Sequence, residues 1–158
     1  MRNSRQLQEA TRQFVYDLPW LNPVAATLTL KQARYFDGRR VALDEIIAQA
    51  ALDHFLKKIN RKVLGNKSKR GQILTSFACL EGGRGVRYHY HAMIDCPAGY
   101  DRSKLETHIL TEWPKLDWGH EVNLTFEGSA AWLHYITKLR TKDDFGSNID
   151  WWNTRYSP

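Results

Sequence analysis

Two histidines, His89 and His91, are separated by one residue within a run of residues typical of a β-strand. Successive side chains of a strand point to opposite faces, so both imidazoles would project from the same face, close enough to share one metal ion. Such a pair also arises by chance on sheets, where the imidazoles are only hydrogen-bonded or exposed. By itself the pair is weak evidence for a metal site.

A carboxylate that could complete the site, Glu81, ends the preceding predicted strand, before the glycine-rich stretch 82–85. It faces the histidines if the hairpin loop has an odd number of residues, whereas an even loop favours a solvated side chain. Two imidazoles and one carboxylate leave positions open for water or phosphate oxygens. The set suits activation of a phosphodiester by Mg²⁺ or Mn²⁺, and a structural zinc clip is the weakest alternative.

A second pair with chemical potential, Tyr135 and Lys138, falls on a predicted final helix that Ser129 can cap. Residues three apart lie on one flank of a helix, about one turn from each other. An ammonium group there could stabilise a phenolate or a phosphate, and so help a phenol to act as a nucleophile. Most such pairs on amphipathic helices have no catalytic role, so this pair is also weak alone.

The elements that must position these residues follow the predicted order strand, helix, strand, strand, helix, strand, helix. The predicted strands cover residues 24–30, 73–81, 86–95 and 120–126. The order predicts an α+β domain with a central antiparallel sheet of about five strands, ferredoxin-like or RRM-like, flanked by helices.

Two helices and one strand have especially clear patterns. Apolar residues from Leu43 to Ile59 have helical spacing, and Ser103 and Glu106 have the spacing of a capping box before a shorter helix. In strand 86–95, aromatic and aliphatic residues alternate with a second set that includes both histidines. This alternation predicts one face packed in the core and one chemical face.

The chain of 158 residues fits a single domain, with a possible N-terminal arm over 1–23 and a C-terminal extension over 141–158. In that extension Trp151, Trp152 and Tyr156 could pack back as an extra strand or offer stacking surfaces. The sequence has no apolar run of about 18 residues, which predicts a soluble intracellular protein without a membrane partner. Two cysteines make no disulfide framework.

The formal net charge of +6 favours a polyanionic partner, although any one basic cluster is also explained by solvated loop charge. A basic pair, Arg39 and Arg40, follows the Asp37-Gly38 turn. Six basic residues at predicted loops or at the ends of predicted elements are candidates for DNA contact: Lys67, Lys69, Arg70, Arg84, Arg87 and Arg140.

Taken together, three segments resemble motifs of the HUH endonuclease superfamily, in particular the single-tyrosine rolling-circle replication initiators, or Rep proteins. Residues 27–30 (TLTL) look like the first, mainly structural motif, and 89–91 (HYH) look like the metal-binding motif. Residues 135–138 (YITK) look like the nucleophile motif, and Glu81 falls where many relatives have a third metal ligand. The resemblance covers about residues 24–140.

The resemblance implies a divalent metal, Mg²⁺ or Mn²⁺, on His89, His91 and Glu81. Tyr135 would attack single-stranded DNA at an origin hairpin to form a 5′-phosphotyrosine link and a free 3′-hydroxyl, while Lys138 would stabilise the phenolate or position the phosphate. The chain has no Gly-x-x-x-x-Gly-Lys-Ser/Thr loop, so other proteins would supply helicase and polymerase. The implied location is the cytoplasm of a bacterial or archaeal host, or the nucleus for a eukaryotic virus.

Two alternatives stay open. A single-tyrosine transposase of the same superfamily would share the His-x-His pair and a helical tyrosine, but would act as a dimer on insertion-element hairpins. A non-catalytic module that binds single-stranded nucleic acid would stack bases on its aromatic residues. The module predicts binding without metal and without a covalent product, so the two classes differ in a measurable way.

Overall fold

A four-stranded antiparallel sheet forms the centre of the computed structural model, which describes residues 2–83, 85–125 and 148–156. The helices are α1 (Arg2–Tyr16), α2 (Glu45–Leu64), α3 (Asn66–Lys69) and α4 (Arg102–Glu112). The strands are β1 (Pro23–Leu30), β2 (Ala33–Phe36), β3 (Arg39–Ala42), β4 (Ser76–Gly83), β5 (Val86–Asp95) and β6 (Gly119–Thr125). No helix in these ranges has the length and apolar character needed to cross a membrane.

The strand order β4-β5-β1-β6 confirms the predicted α+β class. Strand β5 lies between the two strands of the unit β1-α2-β4, and β1 lies between the two strands of the unit β5-α4-β6. This is the split β-α-β arrangement of ferredoxin-like sheets. Four strands form the central sheet, and β2 and β3 form a separate hairpin.

One face of the sheet packs against α2 and α4. Tyr90, Ala92 and Ile94 of β5 are buried there, as the alternation predicted. Helix α2 begins where Asp44 accepts a hydrogen bond from the backbone N–H of Ile47 at 2.8 Å. The clearest predicted helix is therefore confirmed, with an N-cap that fixes where its apolar side meets the sheet.

The opposite face is partly covered, because residues predicted as an N-terminal arm form helix α1. Val15 and Leu18, at and just after the end of α1, pack against Ala25, Phe77 and Met93 of the sheet. The face predicted to be chemical is therefore partly a second apolar core, to which Met93 contributes. The polar composition of residues 2–13 hid the helix, because only a few apolar side chains are needed to attach it to an already apolar sheet.

Two local predictions also need correction. The Asp37-Gly38 turn joins two short strands, β2 and β3, which the sequence analysis did not identify. Helix α4 is capped by Asp101, whose carboxylate accepts from the backbone N–H of Ser103 at 2.9 Å, and not by Ser103 itself. Asp and Ser are similarly good N-caps, so composition alone could not choose between adjacent candidates.

The C-terminal segment 148–156 lies along the outer edge of β4. Backbone bridges join Ser76 to Arg155 and Cys79 to Ile149. The segment thus packs back on the sheet, yet Trp151 and Trp152 stay exposed. The backbone therefore packs back on the sheet edge through isolated bridges and not as a full strand, and stacking by the exposed indoles stays a prediction.

Candidate metal centre

Strand register brings the three predicted ligands together on one face. Glu81 lies directly opposite His89 in the β4–β5 ladder, and His91 is the next residue of β5 on that face. The predicted same-face arrangement of all three residues is therefore present.

A bulge in the hairpin makes this register possible. Gly83 pairs with Val86, which leaves a two-residue loop, and a regular ladder continued from that pair would place Glu81 opposite Tyr88, on the helix-covered face. An irregularity between Glu81 and Gly83 shifts the register by one residue and turns the carboxylate toward His89. Gly82 is required there, because its φ is +133° and a Cβ would lie 2.6 Å from the Tyr88 Cα.

The donor atoms are close enough to bind one ion. Glu81 Oε2 lies 3.4 Å from His89 Nε2 and 3.3 Å from His91 Nε2. One ligand atom from each residue can be chosen so that all lie within 4.8 Å of one another. Two ligands each roughly 2.1 Å from a common ion lie about 3.0–3.4 Å apart, so the donor set fits a divalent metal.

The other ring nitrogens are held by hydrogen bonds. His89 Nδ1 lies 2.9 Å from the backbone oxygen of Arg87, which can only accept, so Nδ1 donates, and in the neutral imidazole Nε2 is then the nitrogen that carries the lone pair. His91 Nδ1 lies 3.2 Å from Thr27 Oγ1 on the neighbouring strand β1. Hydrogen bonds to one ring nitrogen orient an imidazole and determine that its other nitrogen binds the metal.

Thr27→Val is expected to weaken divalent-metal binding by about 10- to 100-fold, because the hydroxyl that orients His91 is lost while the volume is kept. Thr27→Ser should restore affinity. Thr125→Val on β6 is the control, because Thr125 Oγ1 donates to the backbone oxygen of Ala25 at 3.2 Å, and Ala25 pairs with Met93 rather than with a histidine. Isothermal titration with Mn²⁺ measures the effect; equal affinity in Thr27→Val and wild type would contradict the role of Thr27.

Tyr90, between the two histidines, fixes their strand from the other side. Its hydroxyl donates to Asp150 Oδ2 at 2.8 Å, and both residues are buried. Burial is the main reason that the pKa of Tyr90 is raised well above its usual value, and the charge and hydrogen bond of Asp150 raise it further. The buried hydrogen bond ties β5 to the C-terminal segment and holds His89 and His91 on the opposite face.

The predicted DNA-contact residues fall at different ends of the sheet. Arg87 is exposed and precedes His89 by two residues on the same strand. Lys67, Lys69 and Arg70 are exposed before the start of β4, and Ser76 at that end is five residue steps of the strand, roughly 17 Å, from Glu81. The remaining predicted site residues lie outside the described residues: Arg84, Tyr135, Lys138 and Arg140.

The role of Thr27 as a partner of His91 could not be predicted from the sequence. Residues 27–30 were read as a structural motif, and no signal within one strand tells which residue of another strand lies beside it. Only the observed pairing of Thr27 with His91 makes the contact visible.

Comparison of the chain with family models, with curated proteins and with solved structures gives no significant match. The functional argument therefore depends on the arrangement of this chain's own residues.

Proposed function

We propose that this chain is a metal-dependent, tyrosine-nucleophile endonuclease that cuts and rejoins single-stranded DNA, of the kind that starts rolling-circle replication. The observation that carries the proposal is the grouping of Glu81, His89 and His91 on one face of a ferredoxin-like sheet. The sequence adds a tyrosine and a lysine at the spacing of the nucleophile motif, Tyr135 and Lys138.

The donor set favours a catalytic over a structural ion. Three protein ligands leave coordination positions for water or phosphate oxygens, whereas structural zinc sites are closed by four. His91 is buried, while Glu81 and His89 keep about a quarter of their side-chain surface exposed, so the centre is accessible from one side. Mg²⁺ or Mn²⁺ held there would polarise a phosphodiester as a Lewis acid.

In the proposed reaction, the Tyr135 oxygen bonds to the scissile phosphorus while the bond from phosphorus to the 3′ oxygen breaks. The phenol loses its proton and the departing 3′ oxygen gains one, so the step is balanced. Lys138 would stabilise the negative charge on the phenolate or the phosphate. One phosphodiester replaces another, and a 3′-hydroxyl can reverse the step to rejoin DNA without ATP.

The proposal also specifies partners. An origin hairpin in single-stranded DNA is the proposed substrate, and a separate helicase and polymerase would unwind and extend it. The proposed location is the cytoplasm of a bacterial or archaeal host cell, or the host nucleus for a eukaryotic virus. A net charge of +6 is consistent with a nucleic-acid partner.

The reaction class is tested by incubating the protein with a labelled random-sequence single-stranded DNA pool, with Mn²⁺ or with EDTA. A protein–DNA adduct on a denaturing gel, formed with Mn²⁺ and absent with EDTA, is the expected result. Sequencing the captured DNA would then identify the preferred site. Tight binding of the pool in EDTA, with no adduct under either condition, would instead establish a non-catalytic binding module.

A further inference from the structure

The hairpin formed by β2 and β3 lies at the same end of the sheet as the metal centre. Strand β1 runs past His89, opposite Thr29, and continues into the hairpin at Ala33. The side chain of Gln32 fixes the base of the hairpin to β5, since its amide accepts from the Tyr88 backbone N–H at 2.8 Å and donates to the Tyr88 oxygen at 3.2 Å. The base is thus attached one residue from His89.

One face of the hairpin is used to hold it in place. The guanidinium of Arg34 lies 4.7 Å from the Phe36 ring centroid and 5.8 Å from that of Trp118. The same group forms an ion pair of 3.4 Å with Asp117. The cation–π contact with Trp118, the ion pair with Asp117 and the contact between the Phe36 and Trp118 rings therefore fix the hairpin against the segment that leads into β6.

The other face presents an aromatic ring and a cation to solvent. Tyr35 lies directly opposite Arg40 in the β2–β3 ladder, so their side chains share a face. Tyr35 is 72% exposed, and Arg40 is also exposed. A flat ring beside a guanidinium can stack on a base while the guanidinium contacts the phosphate. Proteins that bind single-stranded nucleic acids without sequence preference use this combination.

We propose that this hairpin is a single-strand binding platform, in which Tyr35 stacks on a base of the DNA and Arg40 contacts its backbone. The inference rests on the proposed function. Tyr35 is three residues from Gln32, so their Cα atoms lie at most about 11 Å apart, and a strand bound there lies at the same end of the sheet as the metal centre. Lys67, Lys69 and Arg70, at the far end of the sheet, lack this proximity.

The test measures DNA binding separately from chemistry, by fluorescence anisotropy of a labelled single-stranded pool in EDTA. Tyr35→Ala is expected to weaken binding roughly 5- to 100-fold, because one stacking contact is lost. Tyr35→Phe keeps the ring and should bind as wild type does. Arg40→Ala should reduce the slope of log affinity against log salt by roughly 0.7, the value for one phosphate contact on a single strand.

Two comparisons make the test specific. A blunt duplex offers no unpaired base, so Tyr35→Ala should leave its binding unchanged, and an equal loss on duplex would overturn the stacking role. Lys69→Ala removes a charge at the opposite end of the sheet and should weaken binding of the pool less than Arg40→Ala does. If Tyr35→Ala and Arg40→Ala bind the pool as well as wild type does, the binding platform is overturned and the proposed function stands. If wild type binds no single-stranded DNA, both proposals are overturned. Unchanged Mn²⁺ affinity in every variant shows that the fold is kept.

Discussion

Replacing His91 with alanine is expected to abolish divalent-metal binding at the candidate centre and, with it, the proposed metal-dependent DNA cleavage. His91 is the most buried of the three ligands, with 8% of its side chain exposed. Its loss leaves Glu81 and His89 as a two-residue site on an open face. Outer-shell partners are worth about 10- to 100-fold in affinity, so losing a direct ligand should cost at least about 100-fold.

Glu81→Gln separates charge from shape at the same centre. The amide keeps the size of the carboxylate, but its oxygen carries no formal charge to attract a divalent ion. We expect a loss of Mn²⁺ affinity comparable to that in His91→Ala. His120→Ala is the matched control, because His120 also lies beside a glutamate, with its Nε2 3.8 Å from Glu121 Oε1. It should bind Mn²⁺ as wild type does.

Isothermal titration with Mn²⁺ measures affinity in these variants, and the adduct assay measures activity in the same preparations. Near-native metal affinity in both His91→Ala and Glu81→Gln would show that the ion binds elsewhere. Circular dichroism of each variant shows whether the sheet is retained, so that a lost fold is not mistaken for a lost ligand.

Much of the fold could be predicted from periodicity. Strand β5 was bounded correctly because its alternation extends over all ten residues, and α2 because an apolar stripe lies between a good N-cap and Gly65. Helix α1 and the β2–β3 hairpin were missed because short or polar elements take their stability from tertiary contacts, which no local pattern records.

The position of Glu81 in the metal centre could not be predicted from the sequence alone. Spacing predicts that His89 and His91 share a face, but Glu81 joins them only through the bulge at Gly82. A two-residue loop without a bulge would have placed the Glu81 carboxylate on the face that the helices cover. Bulges depend on contacts between strands, here the close approach of Gly82 to Tyr88, so the sequence allowed the third ligand without requiring it.

The arrangement also explains why a large residue separates the two histidines. Tyr90 points into the core and is hydrogen-bonded to Asp150, which accepts a further hydrogen bond from the side-chain amide of Asn153 at 2.8 Å. Each partner is buried, so the network resists rotation of β5. A small residue at position 90 would remove one hydrogen-bond donor from the buried Asp150 carboxylate, and β5 would lose its link to the C-terminal segment.

Tyr135→Phe is expected to eliminate the covalent adduct while leaving Mn²⁺ affinity unchanged. The substitution removes one oxygen, and phenylalanine has no atom that can attack phosphorus. The metal ligands are on other residues, so binding of the ion should be independent of the phenol. The expected result is a loss of adduct of at least about 1000-fold, since phenylalanine cannot form the bond to phosphorus.

Tyr156→Phe provides the matched control, because Tyr156 is a partly exposed tyrosine whose ring contacts Phe14. It should form adduct as wild type does. If Tyr135→Phe still nicks DNA with Mn²⁺ but forms no adduct, water can replace the phenol, and the centre then behaves as a hydrolytic nuclease. If the adduct persists in Tyr135→Phe, the nucleophile is a different residue, and peptide mapping of the labelled adduct would identify it. Loss of adduct with the metal site intact therefore separates the residue that forms the bond from those that hold the ion.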